Sequence, residues 1–174
     1  MLTIFRAGQL VERSDGEFVE GRQTGFGSRD YPNGRYVGRF VDGLFDGNGL
    51  FVASDGTRYD GEWKSGNLHG QGSLSFTSGL RYEGQFVANT YNGRGSMILP
   101  DGARYDGEYR LNTPHGTGVY KSADGTIYSG QWDHGCFKQG GQAAHFGVFP
   151  EECGLSADIA TLSKRSDQSN TGEN

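Results

Sequence analysis

Polar and apolar positions alternate along short runs of this chain. In Arg58-Tyr59-Asp60-Gly61-Glu62-Trp63 the two rings and the glycine share one parity, while Arg58, Asp60 and Glu62 share the other. A period of two is that of a β-strand with one apolar face. A second run follows with the same period, Gly70, Gly72, Leu74 and Phe76 in one case, Gly93, Gly95, Met97 and Leu99 in the next. Each pair of runs predicts a hairpin of two short strands. Turn dipeptides punctuate the boundaries between hairpins: Asp55-Gly56, Ser78-Gly79, Asp101-Gly102 and Asp124-Gly125. Inside each hairpin one turn position is held by Gly43, Gly66, Asn89, Asn112 or Gly135. Glycine alternating with asparagine predicts a positive φ angle there, since asparagine is among the few other residues that tolerate it.

The pattern recurs every 23 residues, at Tyr36, Tyr59, Tyr82, Tyr105 and Tyr128. Two positions after each tyrosine stands a glycine, and two further on a ring: Phe40, Trp63, Phe86, Tyr109 or Trp132. Such a unit cannot bury its own apolar face and must stack on its neighbours, which predicts a repeat array. A weaker unit precedes the first full one, with Ser14 in the tyrosine position and Gly16, Phe18, Gly21, Gly25, Gly27 and Gly34 in register. The last unit decays, since Gln139 stands where a glycine is due. The expected organisation is an N-terminal cap strand over residues 1–13 and an array over 14–149, with units starting near 14, 36, 59, 82, 105 and 128. A C-terminal cap over 150–165 and a disordered tail over 166–174 complete it. Leu155, Ile159 and Leu162, after Ser156 as N-cap, predict a short helix over residues 156–164 that closes the last sheet edge.

Composition sharpens this picture. The 31 glycines fall on fixed positions of the repeat and not at random, which excludes low-complexity disorder. A net charge of −5 argues against a nucleic-acid footprint and against average attraction to anionic membranes. With no apolar run long enough to span a bilayer and no signal-peptide core at Met1–Arg6, the expectation is a soluble cytoplasmic protein. Cys136 and Cys153 are too few for a disulfide framework and fit a reducing compartment. His134, Cys136, His145 and Cys153 lie close in sequence but match no standard zinc spacing, and His69 and His115 share a repeat position with Asp46 and Asn92. No nucleophile elbow, phosphate loop or dinucleotide fingerprint is present. No catalytic residue, metal ligand or cofactor is therefore expected.

Tyr59-Asp60-Gly61-Glu62-Trp63-Lys64-Ser65-Gly66-Asn67-Leu68-His69-Gly70-Gln71-Gly72, repeated five times over residues 36–141, closely resembles the MORN repeat (membrane occupation and recognition nexus). The resemblance implies an all-β fold, an elongated, twisted, single-layer antiparallel sheet of stacked β-hairpins. It also implies a non-enzymatic scaffold or adaptor, of the kind found at the cytoskeleton, in cilia or flagella, or at membrane contacts.

Parity assigns the tyrosines, rings and glycines to one face, and to the other a ladder of charges, Arg58, Asp60, Glu62, Arg81, Glu83, Arg104, Asp106 and Glu108, able to pair across strands. One short helix cannot cover a sheet of about a dozen strands, so the apolar face is expected to form an exposed groove. An amphipathic helix of a partner protein suits such a groove, with Tyr59, Trp63, Leu74, Phe76, Tyr82, Phe86, Met97, Leu99, Tyr105 and Tyr109 as the contact residues. A phospholipid surface and a second copy of the chain stay open as alternative partners, and so does the choice between monomer and homodimer.

Overall fold

The computed structural model describes residues 2–6, 9–148 and 150–155. One sheet contains all the strands, in chain order and antiparallel throughout. They are β1 (Leu2–Arg6), β2 (Gln9–Val19), β3 (Arg22–Tyr31), β4 (Gly34–Val41), β5 (Leu44–Ala53), β6 (Arg58–Lys64) and β7 (Asn67–Ser75). The second half holds β8 (Arg81–Val87), β9 (Thr90–Ile98), β10 (Arg104–Arg110), β11 (Thr113–Lys121), β12 (Ile127–Asp133), β13 (Cys136–Gln139) and β14 (Gln142–His145). Short β-forming runs cut by glycine turns leave the chain no way to cross over, and the predicted meander of hairpins results.

The turns explain the hairpins. Val41 and Leu44 pair across Asp42-Gly43, whose φ angles are 50° and 80°. Two successive left-handed residues make a type I′ turn, the one whose twist matches that of the strands it joins. Ser65-Gly66, Ala88-Asn89, Leu111-Asn112 and His134-Gly135 repeat it. The positive φ predicted at the second position is present, including at Asn89 (68°) and Asn112 (70°). The first position is left-handed as well, a feature that residues such as Ala88 and Leu111 do not advertise.

Successive hairpins are also latched tip to tip. The amide of the second turn residue donates to a carbonyl of the preceding hairpin: Gly66 to Phe45 (2.8 Å), Asn89 to Leu68 (3.1 Å), Asn112 to Tyr91 (3.0 Å) and Gly135 to Pro114 (2.8 Å). The asparagines add a second bond, their Oδ1 accepting from the amides of Leu68 and Tyr91 at 2.8 Å.

An unbroken row of glycines crosses the sheet from Gly16 on β2 through Gly27, Gly38, Gly49, Gly61, Gly72, Gly84, Gly95, Gly107 and Gly118 to Gly130 on β12. Next to it, each full hairpin slips register by a β-bulge. The tyrosine rings lie in the trough that the glycines leave. At the bulge the tyrosine hydroxyl donates to the carbonyl three residues on: Tyr36 to Arg39 (3.0 Å), Tyr59 to Glu62 (2.9 Å), Tyr82 to Gln85 (3.0 Å) and Tyr105 to Glu108 (3.2 Å). On the opposite face Glu62 Oε1 and Gln85 Oε1 accept from the amides of Gln71 and Arg94, both at 2.8 Å.

In the first unit Ser14 leaves the tyrosine space empty, and Gln23 fills it. Its side chain is 1 % exposed. Its Nε2 donates to the carbonyls of Asp15 (2.9 Å) and Ser28 (3.3 Å), and its Oε1 accepts from Arg29 Nε (3.2 Å). Arg29 in turn pairs with Glu12 at 3.4 Å and lies 5.0 Å over the Phe40 ring. The array thus opens on a polar core. Replacing Gln23 by Met keeps the volume but strands the groups it serves, so urea unfolding should show a loss of about 2 kcal/mol.

Two expectations need correction. Within the named ladder the ion pairs run along single strands, Arg58 with Asp60 (3.2 Å) and Arg104 with Asp106 (2.6 Å), whereas a cross-strand pair forms earlier in the sheet, between Arg35 on β4 and Asp30 on β3 (3.3 Å). Across the ladder Asp60, Glu83 and Asp106 meet serines, Ser73 and Ser96, because the second strand of each hairpin is uncharged there. Cys136 and Cys153 are bonded to each other, with Cα atoms 5.4 Å apart. A 3-10 turn (Pro150–Cys153) doubles back onto β13, and this proximity is invisible in a separation of 17 residues. Two cysteines in a disulfide no longer support a reducing compartment. Of the expected C-terminal cap, the described residues hold this turn and the buried Leu155 behind it. The helix expected over 156–164 and the tail over 166–174 lie outside the described residues.

Candidate interaction face

The inner face is built of two aromatic rows with the glycine trough between them. One row runs directly across the strands: Tyr36, Phe51, Tyr59, Leu74, Tyr82, Met97, Tyr105, Tyr120, Tyr128. The other lies toward the type I′ turns and holds Phe40, Trp63, Phe86, Tyr109 and Trp132. Tyr36, Tyr59, Tyr82 and Tyr105 each meet their own unit's ring residue and that of the next unit edge-on. Tyr59 is 5.0 Å from Trp63 and 5.2 Å from Phe86, and Tyr82 is 5.1 Å from Phe86 and 5.3 Å from Tyr109. Tyr105 continues the chain to Tyr109 and Trp132, both at 5.2 Å. Edge-to-face pairs of this kind favour each other by about 0.5–1.5 kcal/mol beyond the area they bury. Phe45 and Tyr91 close the weave by stacking on Tyr36 (3.8 Å) and Tyr82 (3.9 Å). Trp63 also donates its indole N–H to Gly49 O at 3.0 Å.

This weave corrects the expected open groove of rings. Trp63 is 8 % exposed, Phe86 1 % and Tyr109 3 %, and Tyr59, Tyr82, Tyr105 and Met97 are buried as well. No second layer of strands covers them among the described residues. The rings lie down along the sheet and seal one another, a geometry that glycines permit and parity cannot reveal. Seven of the ten predicted contact residues are thus core. Leu74, Phe76 and Leu99 stay half-buried. Leu74 belongs to the tyrosine row, with the half-buried Phe51, Tyr120 and Tyr128, while Phe76 and Leu99, with the half-buried Leu80, lie just beyond that row on the side away from the type I′ turns. A strip of apolar side chains therefore runs along the inner face, resting on the woven core and open to solvent on its other side.

Burial marks the same core electrically. It raises the hydroxyl of Tyr36 to about 12, and it raises those of Tyr59, Tyr82, Tyr105 and Tyr109, with neighbouring acidic groups and tyrosines adding to the effect. The hydroxyls of Tyr36, Tyr59, Tyr82 and Tyr105 are locked as hydrogen-bond donors, whereas that of Tyr109 is buried with no hydrogen-bond partner among the described residues.

The MORN repeat family model matches residues 15–34, 36–58, 59–81, 82–104 and 105–127. The chain belongs to the MORN-repeat family. The first match takes in Gln23 but begins one residue after Ser14, whereas the other four each begin on their tyrosine. The match stops before the unit that begins at Tyr128, where β13 and β14 shrink to four residues each. Comparison with curated proteins returned no match. MORN repeats are non-enzymatic modules that mediate protein or membrane interactions.

Two groupings escaped the sequence. His145 does not join His134: its Nδ1 lies 2.9 Å from Val148 O. Instead His134 meets His115 and Asp133 at the last hairpin junction, across a separation of 19 residues that only the stacking of units brings together.

Proposed function

We propose that this MORN chain is a protein-interaction scaffold that receives an amphipathic helix of a partner along the half-exposed strip, with Leu74, Phe76 and Leu99 as its centre. The observation that carries this is the strip itself, a row of apolar side chains on a rigid aromatic bed, uncovered by any other described segment. The buried rings, Tyr59, Trp63, Tyr82, Phe86, Tyr105 and Tyr109, hold that bed in shape and do not touch the partner. A long, regular, apolar strip on a rigid sheet matches the spaced anchors of a helix better than it matches a small ligand. The net charge of −5 disfavours an anionic membrane as the occupant. Cytoskeletal or ciliary components are the proposed partners, on the strength of the family resemblance alone.

Capture with the intact chain, followed by calorimetry on the purified partner, tests this. Leu74→Ser with Leu99→Ser should weaken binding at least tenfold and leave the melting temperature within a few degrees, while the outer-face change Arg81→Ala leaves affinity unaltered. Sedimentation with anionic vesicles at physiological salt should retain no protein, and light scattering should give a monomer. Vesicle binding or dimerisation lost on the same double change would replace the partner helix by lipid or by a second copy.

A further inference from the structure

We propose that His115, Asp133 and His134 form a zinc site at the last hairpin junction. The ligand atoms of all three lie within 4.8 Å of one another. His115 Nδ1 is 3.3 Å from Asp133 Oδ1, and His134 Nδ1 is 2.6 Å from the same oxygen. Ligands about 2.0–2.1 Å from a tetrahedral zinc ion stand about 3.3 Å apart, so an ion fits once side-chain rotations open the His134–Asp133 contact from 2.6 Å and draw in the widest pair of ligand atoms from as much as 4.8 Å. Two imidazoles and one carboxylate suit a borderline ion such as zinc, and suit calcium or magnesium poorly, since these prefer oxygen alone.

The repeat shows that folding does not demand this cluster. Gly135 N donates to Pro114 O, so the last junction already has the backbone latch that closes the others. His69 occupies the position equivalent to His115, yet the turn that follows it carries Val87-Ala88 where the last one carries Asp133-His134. Ligating side chains meet at this junction alone among the described residues. They line an open depression of about 680 Å³ together with Lys138, Glu152 and the Cys136–Cys153 disulfide. There is room for a fourth ligand, a water molecule, as zinc sites with three protein ligands require. The bound ion ties β11 to the β12–β13 turn.

Titration calorimetry of the full chain with zinc chloride, without reductant, tests the site. One ion per chain is expected, with a rise in melting temperature. His115→Gln and His134→Asn, the latter chosen because asparagine accepts the left-handed turn, should each weaken binding at least tenfold, and His69→Gln and His145→Gln should not. Cobalt in place of zinc should give the visible absorption of a tetrahedral site without a sulfur-to-metal band. Zinc affinity unchanged in the protein carrying both His115→Gln and His134→Asn, or a sulfur-to-cobalt band, overturns the assignment.

Discussion

Gly95→Ala is expected to destabilise the protein by about 3 kcal/mol in urea unfolding, with no change in the bound partner surface. A methyl group on Gly95 would stand 2.6 Å from Tyr82 Cζ and 2.7 Å from Cε2, well inside van der Waals contact. Tyr82 cannot retreat. Its hydroxyl is held by Gln85 O at 3.0 Å, Tyr91 stacks on it at 3.9 Å, and Phe86 and Tyr109 abut its edges. Overpacking a locked core costs about 1–3 kcal/mol, and here the intruding atom meets a ring and not a flexible chain end. Gly95 is absent from the residues with positive φ, so alanine's backbone preference adds no penalty of its own. The test therefore isolates the ring over the trough. In a Tyr82→Leu background the cost of Gly95→Ala should fall by more than half, since the clash partner is gone. Gly102→Ala supplies the contrast: φ is 86° with nothing near the added methyl, so only the turn strain of about 1 kcal/mol remains. Equal losses at Gly95 in both backgrounds would show that the trough is not what the tyrosine occupies.

This packing shows where a sequence speaks and where it falls silent. Alternation of Tyr59, Gly61 and Trp63 against Arg58, Asp60 and Glu62 sufficed for strand, hairpin and face, because the two-residue period is a backbone property repeated five times. The exchange of Gly for Asn at Asn89 and Asn112 disclosed a φ angle for the same reason. Exposure is not such a property. Whether Trp63 stands up into solvent or lies down against Tyr36 and Tyr59 depends on rotamers in adjoining units, so parity placed it on the right face and at the wrong depth. The disulfide and the His115–Asp133–His134 cluster were hidden for a second reason. Both join residues brought together by folding back or by stacking, at separations of 17 and 19 residues, where no local period leaves a trace. Gln23 illustrates a third case: Ser14 marked the missing ring in the sequence, but nothing there pointed to Gln23 as its substitute, a role that emerges only from the hydrogen bonds it makes.

Raising the pH above 10 is expected to unfold the sheet cooperatively. Tyr59, Tyr82, Tyr105 and Tyr109, like Tyr36, have their hydroxyls raised above the ordinary tyrosine value, chiefly because burial penalises the phenolate. The folded protein therefore keeps these protons at a pH where the unfolded chain has released them. A group raised in the fold contributes stability in full below its unfolded pKa, about 10, and loses it as the pH climbs through the folded value. For Tyr36 that window runs from about 10 to about 12. Each such tyrosine subtracts up to about 1.4 kcal/mol per pH unit in its window, so the buried set together removes on the order of 5 kcal/mol one unit above pH 10. That rivals the whole stability of an ordinary domain. Tyrosinate absorbance and the circular dichroism of the sheet should then change together, in one steep step. The woven core also predicts how the step depends on its members. Tyr82→Phe removes one titrating group, and with it the bond to Gln85, so it should lower stability at neutral pH yet flatten the alkaline slope. Gradual ionisation of all the tyrosines near pH 10 with the sheet intact would mean that the rings stand in water, and both the sealed core and the half-exposed strip beside it would have to be redrawn.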